Sequence, residues 1–197
     1  MDRTEHYQDT RERILGIGQT LVSGRGFSAL GLSEILTKAE VPKGSFYHYF
    51  QSKEGFGVAL LERYFDNYLD GASLLLNDQS IPVRARLLTY FANWRQVAAS
   101  SECSNMCLAV KLAAEVADLS EPMRLALTKG MQRITAQIAG TIRAAQENGQ
   151  FPSESDAVQL AESLYGMWVG ASLLTKVSRS MTAMDLAYKQ TEQMLSI

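Results

Sequence analysis

The chain has 197 residues, 46% hydrophobic and 20% charged, with a formal net charge of −2. This is the composition of a globular protein with a sizeable core, and no apolar run is long enough to span a membrane, the longest (residues 164–174) being broken by two glycines. Residues 1–13 are too polar for a secretory signal and two cysteines cannot make a disulfide scaffold, so a reducing, cytoplasmic setting is expected.

Residues 9–25 carry Ile14, Ile17, Leu21 and Val22 at helical spacing. Asp9 or Thr10 can cap this helix, and Gly24 and Gly26 stop it. Arg11 and Arg13 in its first turn oppose the helix dipole. A nearby phosphate would relieve that mismatch; two solvated arginines are the plainer reading. A helical octet at residues 32–39 and a second short helix through Phe50 follow, separated by about four residues. Two short helices so joined form the helix-turn-helix pattern, whose second helix enters the DNA major groove. Pro42 suits the first turn of that second helix. Phe46 and Phe50 lie four apart and anchor it to the core. Lys43, Ser45, Tyr47, His48 and Tyr49 then offer donors and flat rings to a polyanion, and Gly44 lets backbone come close. Ser33 and Lys53 complete the candidate DNA-contacting set. Residues 1–55 hold seven Lys/Arg and seven Asp/Glu, so contact must come from a few well-placed cations and the salt slope should be shallow.

Ser52 opens a long helix to about residue 76, striped with Leu60, Leu61, Tyr64, Phe65, Tyr68 and Leu69. Its length makes it a rod from the DNA-binding domain into a second domain. After a loop at 77–82, helices are expected at 83–100, 106–117, 123–147, 154–179 and 183–195. No strand pattern or internal repeat intervenes. The predicted fold is all-α with about nine helices: a three-helix DNA-binding domain at 1–55 and a helical sensing and dimerisation domain at 56–197. From residue 164 to 174 the penultimate long helix is apolar nearly all round, so it needs cover on every side. A second subunit supplies it if this helix and the last one form a four-helix interface about a two-fold axis. Such a homodimer would also match paired DNA half-sites.

Cys103, Cys107 and Lys111 are spaced by four and can share a helix face. An ammonium group nearby raises the thiolate population of a cysteine. The competing reading makes Cys107, beside Met106 and Leu108, a small core hydrophobe. Two cysteines with His6 and His48 in distant contexts do not supply a zinc set, and nothing calls for a cofactor. Nor does Cys107 have the nearby histidine that a thiol enzyme would use as base. Phe91, Trp94, Tyr165 and Trp168 could line a pocket for a non-covalent inducer, with Cys107 inert.

Gly26-Phe27, Ile35 and the run Ala39-Glu40-Val41-Pro42-Lys43-Gly44-Ser45-Phe46-Tyr47-His48-Tyr49-Phe50-Gln51-Ser52-Lys53-Glu54-Gly55-Phe56 resemble the N-terminal domain of TetR-type repressors. Glu40 stands where that family usually has Gly, and Gly31 where it has Thr or Ser; if the turn needs positive φ, Glu40 is strained. Residues 42–50, 105–121 and 170–180 are similar to the NemR-like branch of the family. That resemblance implies a dimeric repressor on a palindromic double-stranded DNA operator. It implies release when the cysteine at Cys107 reacts with an electrophile or oxidant, with the lysine at Lys176 beside it. Following an apolar helix, Lys176 is expected to be partly buried with a depressed pKa, and Lys111 is its local rival. Modification of Cys107 would then shift the long helix at 52–76 and change the spacing of the recognition helices.

Overall fold

The computed structural model describes residues 3–100 and 108–196, with side chains from Asp9 onward. Among them are nine α-helices and no strand: α1 (Arg3–Arg25), α2 (Leu32–Ala39), α3 (Lys43–Phe50), α4 (Lys53–Leu76), α5 (Val83–Ala99), α6 (Leu108–Val116), α7 (Glu121–Glu147), α8 (Ala157–Ser178) and α9 (Thr182–Met194). The all-helical expectation holds. The chain divides into two compact units, Met1–Asp66 with Lys111–Gly130, and Asn67–Val110 with Met131–Ile197.

In the first unit, Ile14, Leu15, Leu21 and Val22 of α1 are buried, as are Ile35, Phe46, Phe50, Phe56, Leu60, Leu61 and Phe65. Helix α1 starts at Arg3, six residues before the cap expected at Asp9. No Gly or Pro stands between residues 3 and 15, so the helix extends without needing an apolar stripe. The Phe56 ring lies 5.4 Å from Phe46 and 5.2 Å from Phe50, centroid to centroid. Such pairs add about 0.5–1.5 kcal/mol each beyond burial. Gly18 of α1 faces the Phe56 ring, where any side chain would collide with it.

Helix α2 ends at Glu40 with φ 52° and ψ 44°, the left-handed region. The Val41 N–H reaches back to the Leu36 carbonyl at 3.1 Å, a helix ending that usually takes glycine. The strain expected at Glu40 is therefore present. At the other end Gly31 gives α2 no side-chain cap. Pro42 sits at the N-cap of α3 rather than in its first turn, with φ −68° and ψ 150°. Its ring fixes the extended entry, and helical backbone begins at Lys43. Ser52 caps α4 by accepting the Gly55 N–H at 2.9 Å. Helix α7 starts at Glu121 because the Ser120 hydroxyl accepts the Met123 N–H at 3.3 Å and Pro122 fits a first turn.

In the second unit, α9 packs on α5 and α8. Phe91 stacks on the fully buried Trp168, with centroids 5.0 Å apart. The Trp168 indole N–H donates to the Thr191 hydroxyl at 2.9 Å, and that of Trp94 donates to Ser172 at 3.1 Å. Helix α8 begins at Ala157, later than the expected residue 154, because Asp156 accepts the N–H groups of Val158 and Gln159. Within this chain the apolar stretch of α8 is not covered on every side. Leu173, Leu174 and Val177 of α8 and Leu186 of α9 remain 48%, 60%, 76% and 62% exposed.

Candidate functional site

Helix α3 has two faces. Phe46 and Phe50 are buried, while Lys43, Gly44, Tyr47 and His48 are exposed and Ser45 and Tyr49 half-buried. The Lys43 ammonium lies 5.8 Å from the Tyr47 ring centroid, and the Tyr47 ring stands edge-on to Phe46. The outer rim thus offers one cation, a phenol and an imidazole from one short helix. Ser33 is exposed in the first turn of α2.

Two other cations are drawn into the protein. The Lys53 ammonium lies 5.0 Å from the Phe27 ring centroid and donates to the Ser28 carbonyl at 3.4 Å. Its expected phosphate contact would therefore compete with an internal one. The Arg11 guanidinium lies 5.8 Å from the Phe50 ring centroid and 3.3 Å from the Glu12 carboxylate. Arg11 is half-buried, which corrects the solvated reading; Arg13 is exposed as read. The planar guanidinium stacks readily on an aromatic face, and no apolar pattern signals that.

The structure adds a contact that no local motif announced. Glu115 of α6 accepts the backbone N–H of Phe27 at 3.0 Å and of Ser28 at 2.5 Å. One turn earlier, the Lys111 ammonium donates to the Ser23 carbonyl at 2.5 Å. These two side chains hold the end of α1 and the loop that leads to α2. Gly26 makes room: its φ is +90°, and a Cβ there would lie 2.8 Å from the Glu115 carboxylate. Burial pushes the Glu115 carboxyl up, but the N–H groups of Ser28 and Phe27, the Ser28 hydroxyl and the Lys111 charge outweigh it and hold it below its ordinary 4.5. The sequence signal for this clasp is slight, a glycine just after α1 and a carboxylate 87 residues beyond the Ser28 that it holds.

Of the sensor candidates, Cys107 and its neighbour Cys103 lie outside the described residues. Lys111, the local rival, is the residue on the Ser23 carbonyl. Lys176 is exposed on α8, which corrects the expectation of partial burial in this chain. The helix turns Thr175 inward at 8% exposure and Lys176 outward. The four aromatic candidates do come together: Trp94 lies 5.7 Å from Trp168 and 5.8 Å from Tyr165, and Phe91 stacks on Trp168. They meet ring on ring, with Phe91, Tyr165 and Trp168 buried and Trp94 half-buried. Among the described residues no group of three or more His, Cys, Asp or Glu is placed to hold a metal ion, and no helix is long and apolar enough to cross a membrane.

Residues 15–66 match the family described as bacterial regulatory proteins of the tetR family. Residues 83–191 match the tetracyclin repressor-like C-terminal domain. The chain is 42% identical to the HTH-type transcriptional repressor NemR of Escherichia coli K12, over 98% of this chain and 96% of that protein. It is 34% identical to the transcriptional regulator AcuR of Cereibacter sphaeroides, over 84% and 76% of the two chains. The crystal structure of reduced E. coli NemR superposes with a TM-score of 0.89 at 41% identity, covering 95% of this chain and 97% of that one.

Proposed function

Because the chain belongs to the TetR family of bacterial regulatory proteins, we propose that it is a DNA-binding transcriptional repressor that leaves its operator when Cys107 reacts with an electrophile or oxidant. The observation that carries the first half is the exposed rim of α3, with Lys43, Tyr47 and His48 outward and two phenylalanines beneath. That is the division of labour a major-groove helix needs: an anchored underside and a leading edge of donors. In this reading residues 1–55 carry the DNA contacts, with Ser33, Gly44, Ser45, Tyr49 and Lys53 flanking the rim, and 56–197 carry sensing and pairing. The protein works in the cytoplasm by binding rather than by catalysis.

A palindromic operator calls for a two-fold dimer, and the outer face of α8 and α9 fits one. Leu173, Leu174, Val177 and Leu186 are exposed together with a groove of about 600 Å³ lined by Gly166, Gly170 and Ala171. A second copy of the same face would cover them isologously. Paired in this way, the recognition helices would sit roughly one DNA turn apart, about 34–36 Å.

The same reading gives release a route. Cys107 directly precedes α6, and α6 carries Lys111 and Glu115, which hold the α1–α2 connection. Conjugate addition of the Cys107 thiolate to a quinone forms a C–S bond, and the ring takes up a proton. The bulky adduct displaces the start of α6 and loosens the clasp, because packed interiors move between discrete arrangements. A tenfold loss of operator affinity needs only about 1.4 kcal/mol of difference between the two arrangements.

Replacing Lys43 or Tyr47 by Ala tests the α3 assignment. Operator binding, read by fluorescence anisotropy, should weaken by about 1–3 kcal/mol while the dimer stays intact. Unchanged affinity in both variants would remove α3 from the interface.

A further inference from the structure

The second unit contains a cleft of about 680 Å³ at the end of α4, lined by Asn77, Gln79, Arg86, Gln137, Asn148 and Gln150 among others. No acidic side chain lines it. Its volume is within the range of small-molecule sites. Arg86 is only 6% exposed. One of its terminal nitrogens donates to the Leu76 carbonyl at 2.5 Å, and its buried Nε has no hydrogen-bond acceptor. Among the described residues no carboxylate comes within ion-pair distance of it. Asp78 feels the Arg86 charge, but its carboxylate is held by the Ser80 hydroxyl at 2.6 Å and the Ser80 N–H at 2.9 Å.

A buried guanidinium with no carboxylate in direct contact is costly, and such groups are normally paired. Capping the last carbonyl of α4 uses one of five donors. The lining explains what the others are for. Gln137 gives its amide N–H to Ser73, which leaves its carbonyl oxygen as an acceptor, and the buried Thr141 hydroxyl, which donates to the Gln137 backbone carbonyl at 3.0 Å, keeps its lone pairs as acceptors. The carboxamides of Asn77, Gln79 and Gln150 add neutral donors and acceptors at the wall.

We propose that this cleft is a binding site for a small hydroxylated organic anion, its carboxylate or phosphate seated on Arg86 and its hydroxyls on the surrounding carboxamides. Guanidinium is the side chain best matched to both oxyanions, and the amides suit an alcohol-bearing remainder. The site lies wholly within the second unit and does not depend on the operator reading.

The test is calorimetric titration of the full-length protein with sodium lactate and with glycerol 3-phosphate, at constant ionic strength, with sodium chloride as control. Saturable binding of either anion is expected, together with a rise in Tm of roughly 5–10 °C at a hundredfold excess over Kd. Comparison of the two arms separates a carboxylate site from a phosphate site. Arg86→Gln should abolish binding. Should that variant fail to fold, Gly140→Leu decides: Gly140 lines the cleft from within α7, and a Cβ there meets nothing within 4 Å. Its added side chain should fill the cleft, leave the fold intact and remove binding. Absence of saturable binding to the wild-type protein, or undiminished binding in Gly140→Leu, overturns the assignment.

Discussion

Glu115→Gln isolates the clasp from α6 onto the α1–α2 loop. The carboxylate accepts two backbone N–H groups, and hydrogen bonds to a charged acceptor contribute about 1.5–3 kcal/mol each when buried. Ser28 is exposed and Glu115 half-buried, so the lower end applies. The amide keeps the shape, retains one acceptor oxygen and turns an N–H toward the second donor. A loss of about 1–2 kcal/mol follows, which for a chain of this size is a fall in Tm of roughly 3–6 °C. Folding holds the Glu115 carboxyl below its ordinary 4.5. The unfolded chain therefore takes up the proton first, so the contribution is complete above that value and fades as pH falls through the folded one. Urea midpoints for the two proteins should differ most near pH 7 and converge as the pH falls below 4.5. With the loop no longer held, operator affinity should drop as well. Equal urea midpoints at pH 7 would show that the clasp stabilises nothing, and the proposed route from Cys107 to the DNA-binding helices would fail with it.

Glu40→Gly should stabilise the protein. A left-handed L-residue costs about 1–2 kcal/mol, and the extra freedom of glycine in the unfolded chain gives back about 0.5–1, so a net gain of about 0.5–1 kcal/mol is expected in urea denaturation. A loss would mean that the Glu40 side chain makes up for its backbone. Val177→Glu places a charge on the exposed apolar face of α8. Light scattering after gel filtration should then show monomers, and a persistent dimer would move the pairing surface elsewhere.

Much of the architecture was legible because helices advertise themselves locally. The spacing of Phe46 and Phe50 told which side of α3 is anchored, and so which side is free. Helix starts were read less well. Asp156 caps α8 and Ser120 caps α7, yet both stand in runs of polar residues where several neighbours could have done so. Lys176 was misplaced for a related reason: an all-round apolar helix carries no phase, so nothing announced that Thr175 turns inward and Lys176 outward. Glu115 and Arg86 could not be read from spacing at all. A charged residue on a helix normally faces water, and the groups that hold these two are brought to them only by the tertiary fold.

The most direct measurement is release. Wild-type protein and Cys107→Ser are each bound to the operator and exposed to a quinone, with mass spectrometry of the same samples. The wild type should gain one adduct at Cys107 per subunit and dissociate, while the serine variant should stay bound. Equal release of both proteins, or an adduct at Cys107 on a complex that does not dissociate, contradicts a thiol-triggered repressor.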